Sequence, residues 1–203
     1  VTQVRVDKED PSFKKPSKPI GPFYTKEEAD AEAAKDGSTY VEDAGRGYRK
    51  VVPSPMPKEI VEKEAVRALV EADVLTICSG GGGIPVVAED GQYVGVEAVN
   101  DKDFSARVLA ENVDADRLII LTGVDNIYIN YNQPDQKALE QISVAEAEEY
   151  IKEGHFAAGS MLPKIEAALD FVKGDDKRKA IITSIENLEN IDKEAGTVIS
   201  QKG

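Results

Sequence analysis

The sequence predicts an α/β fold, with helices alternating with short strands of a mainly parallel sheet covered on both faces. Three observations predict it. Apolar residues recur at helical spacing over residues 58–72, 101–112, 143–152 and 160–173. Between them lie short β-branched runs, residues 74–78, 118–121 and 180–183, that are apolar without alternation, as strands buried on both faces are. The order of the two patterns repeats along the chain, which is the signature of layered α/β architecture.

Each element has its own local signal. Residues 1–6 alternate apolar and polar and read as a strand entered without a preceding loop, so the amino terminus is expected to be a cut edge with residues missing upstream. Residues 7–24 are extended and proline-rich, because Pro11, Pro16, Pro19 and Pro22 remove donors that a helix needs. Thr25-Lys26-Glu27-Glu28 is a capping box that opens a helix ending near Gly37. Strands are expected over 39–41 and 48–52, followed by a stiff hinge at Pro53, Pro55 and Pro57. After the helix at 58–72 and the strand at 74–78, Asp90-Gly91 marks a hairpin between residues 86–88 and 93–96. A helix over 101–112 leads to strands at 118–121 and 127–129. Ser143-Val144-Ala145-Glu146 is a second capping box, and a helix at 160–173 takes Pro163 in its first turn. Strands at 180–183 and 197–200 close the pattern.

Composition narrows the function. The 203 residues hold 25 Lys and Arg against 38 Asp and Glu, a formal charge of −13. That disfavours nucleic acid and anionic membrane as partners, since phosphate-rich surfaces need a basic face. A local cationic pocket for a phosphorylated metabolite is compatible with it, because net charge averages the whole surface. One cysteine, Cys78, allows no intrachain disulfide, and with one histidine there is no zinc-type cluster. This fits a reducing, cytoplasmic location. No apolar run approaches the ~18 residues of a membrane span.

Ligands of such sheets bind at the carboxyl ends of strands, here after Cys78, Leu121 and Thr183. Directly after Cys78 comes Ser79-Gly80-Gly81-Gly82-Gly83-Ile84-Pro85. Consecutive glycines leave bare amides that can form an anion nest; the plain alternative is a flexible turn. It is neither a Walker A loop nor a dinucleotide fingerprint. Asn100-Asp101-Lys102-Asp103-Phe104 sits at a helix start. Its acids suit the helix dipole, or Lys102 neutralises phosphate oxygens while a carboxylate orients lysine or Mg²⁺. Gly159-Ser160-Met161-Leu162-Pro163-Lys164 places a lysine in a helix's first turn, an anion site or an ordinary cap. Leu121-Thr122-Gly123-Val124-Asp125 offers a close backbone approach at a strand end, or only a turn. His155 reads as a structural, hydrogen-bonded histidine and Cys78 as strand core. Lys18, held among Pro16, Pro19 and Pro22, is presented on a rigid path. The basic cluster within residues 43–50 reads as a solvated hairpin tip, with anion binding as the alternative.

Taken together, six stretches resemble the carbamate kinases of the amino acid kinase superfamily: PSKPIGPF (16–23), EDAGRGYRKVVPSP (42–55), GGGGIP (80–85), VEAVNDKDF (96–104), LTGVD (121–125) and EGHFAAGSMLPKIEAA (153–168). They follow the family's order over nearly the whole chain, and the first two are specific to carbamate kinases. The resemblance implies a three-layer α/β/α sandwich with an open, mainly parallel sheet and a small protruding lid subdomain. It divides the chain into a remnant of an N-terminal domain (1–17), the lid (18–53) and a nucleotide-binding domain (54–203).

It implies reversible phosphoryl transfer between carbamoyl phosphate and ADP, with Mg²⁺ on the nucleotide, ATP-forming in arginine catabolism, in a cytoplasmic homodimer. Lys18 should reach towards the nucleotide phosphates. Lys102 and Lys164 should neutralise the transferring group, with Asp103 or Asp101 positioning the lysines. Gly81, Gly82 and Gly83 should line the phosphate path, and Thr122, Val124, Asp125 and Met161 the nucleotide pocket. The family's amino-terminal glycine-rich and glycine–asparagine segments have no counterpart here. Two alternatives therefore stand: another kinase of the superfamily, or a catalytically silent nucleotide-binding fragment.

Overall fold

A computed structural model describes residues 2–43 and 45–203. Val1 of the first expected strand and Ala44 of the expected hairpin tip lie outside the described residues. The chain forms two compact units, Val1–Glu62 with Ile77–Ser105, and Lys63–Thr76 with Ala106–Gly203.

The first unit holds two sheets. Strand β1 (Gln3–Arg5) is followed by a short 3-10 turn and β2 (Lys18–Tyr24), helix α1 (Lys26–Asp36), β3 (Thr39–Glu42), β4 (Tyr48–Val52), β5 (Glu59–Ile60), β6 (Ile84–Glu89) and β7 (Gln92–Gly95). β2, β4 and β3 make an antiparallel sheet in that order, backed by α1. α1 starts and stops as its residues dictate. Thr25 and Glu28 form the reciprocal capping box, and Gly37 ends the helix at φ 71°, a conformation that costs other residues more. β2 was expected only as an extended stretch. Its prolines survive as a strand because β2 is at the sheet edge, where a missing N–H breaks no ladder.

The second sheet runs β5-β1-β6-β7. β1 lies parallel to β6, and the β6–β7 hairpin turns on Asp90 (φ 48°) and Gly91 (φ 77°), as the dipeptide predicts. Val4, Ile60 and Val86 fill its core. Between the two sheets, Asp10 accepts the Ser12 N–H at 2.9 Å and the Met56 N–H at 3.0 Å, one through each carboxylate oxygen. One side chain thus ties the chain entering the β2-β4-β3 sheet to the chain leaving it.

The second unit contains α2 (Lys63–Glu71), most of α3 (Lys102–Asn112), β8 (Arg117–Thr122), β9 (Ile127–Ile129), β10 (Lys137–Leu139), β11 (Gln141–Ser143), α4 (Val144–Lys152), α5 (Met161–Lys173), β12 (Lys179–Ser184) and β13 (Thr197–Ser200), with a 3-10 helix at Glu186–Lys193. Its main sheet runs β11-β13-β12-β8. β12 is parallel to β8 and antiparallel to β13, and β13 is parallel to β11. The α/β class is as the sequence predicts, and the sheets are mixed. α5 buries Ile165, Ala168, Leu169, Phe171 and Val172 in a core shared with Ile120, Ala180, Ile182 and Ile199.

Three expectations need correction. The helix expected from residue 58 begins at Lys63, because Glu59 and Ile60 pair with β1 and Ile60 is fully buried there. Residues 74–78 are not a strand: no described strand pairs with them, and Leu75 and Ile77 are 96% and 95% exposed. Cys78 is accordingly half-buried rather than core.

Candidate functional site

In the first unit the glycine loop has a defined shape. Gly80, Gly82 and Gly83 have φ of 48°, 134° and 77°. A Cβ on Gly82 would run into the Asn100 carbonyl, and one on Gly83 would sit 2.6 Å from a Val4 methyl. No side chain fits at either position, so a merely flexible turn does not account for them. The Gly82 carbonyl is held inward by Ser105 Oγ (2.8 Å) and Asn100 Nδ2 (3.2 Å). The Gly80 and Gly82 N–H groups are used on Cys78 and Ser79 carbonyls. Among the described residues the N–H groups of Gly81 and Gly83 have no carbonyl partner. Gly81 is exposed and Gly83 half-buried, which suits donation to an anion.

The Asn100–Phe104 stretch opens α3. Asp101 caps it: its carbonyl accepts the Ser105 N–H (3.0 Å) and its Oδ1 accepts the Asp103 N–H (2.9 Å). Its Oδ2 takes an ion pair with Lys18 Nζ, 83 residues away in sequence. Burial alone would raise the Asp101 pKa. The Lys18 hydrogen bond and charge, the Asp103 N–H and Lys102 outweigh it, and the carboxyl lies below its ordinary range. Asp103, buried, faces Lys102 Nζ at 3.3 and 3.4 Å. Lys18, Lys102, Asp101 and Asp103 are therefore gathered in two ion pairs at one helix start. Three other basic residues of the β2-β4-β3 segment, Arg46, Arg49 and Lys50, are occupied within it and its helix α1. Arg46 and Arg49 share Asp43 and stack on the Phe23 ring, and Lys50 pairs with Asp36.

In the second unit a cavity of about 620 Å³ opens beyond the carboxyl end of β8. Thr122, Gly123, Val124 and Met161 line it, as does Ser160 at the start of α5. Asp125 does not. Its carboxylate accepts Ser184 Oγ (2.6 Å) and its carbonyl accepts Thr183 Oγ1 (3.2 Å), which binds the end of β8 to the end of β12. Lys164 is half-buried in the first turn of α5. Ser160 stands at the N-cap position of α5, and its side chain makes no capping hydrogen bond.

Sequence reasoning missed the aromatic wall of this cavity, Tyr128, Tyr131 and Phe156. These residues are far apart in sequence and carry no periodic signal. His155 also lines the cavity. Its Nδ1 accepts the Asn130 N–H at 3.5 Å and its Nε2 lies 3.0 Å from Glu153, so it is the hydrogen-bonded histidine the sequence predicts. An apolar, aromatic cavity with a few polar groups is the usual form of a site for a planar organic ligand.

Residues 25–184 match the model of the amino acid kinase family. The chain is 55% identical to the carbamate kinase of Lentilactobacillus hilgardii, over its whole length and 64% of that protein. It is 56% identical to carbamate kinase 1 of Enterococcus faecium, over 99% of this chain and 64% of that one. Carbamate kinase from Giardia lamblia bound to AMP-PNP superposes with a TM-score of 0.85 at 46% identity, covering 98% of this chain and 64% of that one. The chain thus spans somewhat under two thirds of the length of the relatives it matches. It belongs to the amino acid kinase family, and the relatives it matches along its whole length are carbamate kinases.

Proposed function

We propose that this chain supplies the lid and nucleotide-handling part of a carbamate kinase, which transfers a phosphoryl group between carbamoyl phosphate and ADP. The observation that carries the reading is the glycine loop beside two lysine–carboxylate pairs, in a sequence more than half identical to carbamate kinases. The rival reading as another kinase of the family lacks that support, because the relatives matched along the chain at 55% and 56% identity are carbamate kinases.

Phosphoryl transfer asks little covalent chemistry of a protein. The transition state spreads charge over three equatorial oxygens, and preorganised donors lower its energy. In this reading the Gly81 and Gly83 amides and the ammonium groups of Lys18 and Lys102 receive those oxygens. Gly82 has no side chain because the loop must pass against Asn100. Lys164 has the same charge-neutralising duty. The cavity lined by Thr122, Val124, Tyr128, Phe156 and Met161 takes the nucleotide base and ribose, in keeping with a Giardia relative seen with AMP-PNP.

Asp125 acts indirectly, by holding the β8 end in place. Among the described residues no group of three or more His, Cys, Asp or Glu side chains is arranged to hold a metal ion. Mg²⁺ would enter on the nucleotide phosphates and supply charge neutralisation there. Closure of the β2-β4-β3 lid would protect carbamate from water.

The assay is ATP formation from carbamoyl phosphate and ADP, followed by luciferase. A chain of the relatives' full length carrying this sequence is expected to form ATP, and Lys102→Ala or Lys164→Ala to lower kcat far more than nucleotide affinity. The 203-residue chain alone is expected to bind ADP. Turnover with acetylglutamate or aspartate and none with carbamate would replace this reading with the broader family one.

A further inference from the structure

The aromatic wall of the cavity beyond β8 has two halves, and they are held differently. His155 and Phe156 belong to the connection between α4 and α5 and are fixed. Phe156 is buried, the His155 N–H donates to the Tyr150 carbonyl at 3.2 Å, and the imidazole stands edge-on to the Tyr150 ring at 5.8 Å. Tyr131 belongs to the loop between β9 and β10, where its ring lies 5.8 Å from that of Tyr128. The loop is exposed from Tyr131 onwards. It closes on itself: Asn130 Nδ2 donates to Asp135 (2.7 Å), the Gln133 N–H to the Asn130 carbonyl (2.9 Å) and the Asn132 N–H to Gln136 Oε1 (2.8 Å). Asn130 and Asn132 take left-handed φ of 53° and 63°, which asparagine tolerates better than most residues. Among the described residues one hydrogen bond joins this loop to the fixed half, from the Asn130 N–H to His155 Nδ1 at 3.5 Å.

That bond needs one protonation state. Nδ1 accepts only without a proton, so the neutral ring carries its proton on Nε2, where Glu153 accepts the hydrogen bond at 3.0 Å. An imidazolium has a proton on both nitrogens. Nδ1 would then face the Asn130 N–H as donor against donor. The groups around the ring pull in opposite directions. From the end of α4, Glu153 favours the cation, and Tyr150 offers an uncharged ring. From the loop, the Asn130 N–H opposes the cation, while Asp135 is turned to the Asn130 side chain. Thr122 and Val124 at the end of β8, and Ser160 and Met161 at the start of α5, bring no charge to the cavity.

We propose that His155 is the positioning residue of this cavity: neutral, it holds the Tyr131 loop as a preformed wall, and protonated, it releases that loop. The inference rests on the reading of the cavity as the site of the nucleotide base, and deepens it. A planar ligand gains from a ring already in place, because ordering the wall at the moment of binding costs entropy.

The test uses adenosine, which has no phosphate and keeps its charge between about pH 5 and 8, the range in which histidine changes its own. In a chain of the relatives' full length, adenosine binding measured by calorimetry is expected to weaken about 3- to 10-fold from about pH 8 to about pH 5.5, the worth of one hydrogen bond. His155→Asn offers an uncharged oxygen as acceptor in place of Nδ1. It should bind adenosine as the parent does at the alkaline end and keep that affinity in acid. His155→Leu has no acceptor, and should bind at every pH as weakly as the parent does in acid. An affinity that ignores pH in the parent, or a pH dependence that survives in His155→Asn, overturns the proposal.

Failure of the parent to bind adenosine at any pH would remove the nucleotide reading of the cavity. The link between His155 and the loop is then read from the amide resonance of Asn130 in the free protein. It should move in step with the His155 ring protons as pH falls, and stay still in His155→Asn. An Asn130 resonance that does not follow the ring in the parent refutes the link.

Discussion

Residues 74–78 and residues 180–184 look alike on paper. Val-Leu-Thr-Ile-Cys and Ala-Ile-Ile-Thr-Ser are both five-residue, β-branched runs flanked by turn signals and preceded by a helix. The structure treats them oppositely. The second run is the centre of β12, paired with β8 on one side and β13 on the other, with Ala180, Ile181, Ile182 and Thr183 fully buried. The first pairs with no described strand and presents Leu75 and Ile77 almost wholly to solvent. β-propensity is a statement about fitting a half-buried pleated surface, and a strand exists only where neighbours supply its ladder. The run at 74–78 has the residues of a strand without the neighbours.

That contrast can be broken or sharpened by substitution. The largest effect is expected in the partnered region. Ile181→Ala, or Phe171→Ala on the α5 face, should cost about 2–5 kcal/mol in chemical denaturation, through lost burial and a residual cavity. A loss below 1 kcal/mol would mean the core is far looser than drawn.

Just past the unpartnered run the chain becomes rigid again. Gly82→Ala should cost about 1–3 kcal/mol, because it combines a left-handed φ with collision against the Asn100 carbonyl. Stability equal to the parent's would contradict the loop geometry.

Acid distinguishes the regions in another way. β12 contains no carboxylate, whereas the β2-β4-β3 sheet and its attachments depend on Asp10, Asp36 and Asp101. For Asp10, burial raises the pKa but the Met56 and Ser12 N–H groups outweigh it. For Asp36, the Ser38 N–H and Lys50 bring it down to about 2. All three have folded values below the ordinary 3.8. In that window the unfolded chain binds more protons, so their contribution is complete above about pH 4 and disappears as pH falls through the folded values. The near-UV circular dichroism of the Tyr24–Tyr40 pair should therefore collapse before the far-UV signal. Coincident acid transitions would refute this order.

The smallest effect belongs to the exposed run. Leu75→Ser should change stability by less than ~0.5 kcal/mol in the 203-residue chain, as at other exposed positions. In a chain of the relatives' length the same substitution should cost more, about 1–3 kcal/mol, if added chain covers Leu75. Equal small effects in both chains would show that a missing partner is not the explanation.

How much was legible follows from the same physics. Thr25 with Glu28, Ser143 with Glu146 and Asp90-Gly91 are local devices, and each is found where the sequence places it. Lys63 as the true start of α2 was not legible, since Ile60 reads equally well as helix face or strand core until β1 is known to claim it. β2 was hidden by its own prolines, which are tolerated only because of an edge position that no local pattern reveals. At the candidate site, the glycine loop and the lysines stood out as residue types. Their pairing did not, because Lys18 and Asp101 meet only through the tertiary fold. The aromatic wall of Tyr128, Tyr131 and Phe156 was silent for the same reason.

The Asp10 clasp has a practical consequence. A single carboxylate ties the Ser12 and Met56 backbones, so the intervening stretch is attached as a loop of chain pinched at its base. Such an insert is an exchangeable cassette. The corresponding stretch of a relative could be spliced in at those two backbone positions with Asp10 retained, and the inserts compared without disturbing the β5-β1-β6-β7 sheet.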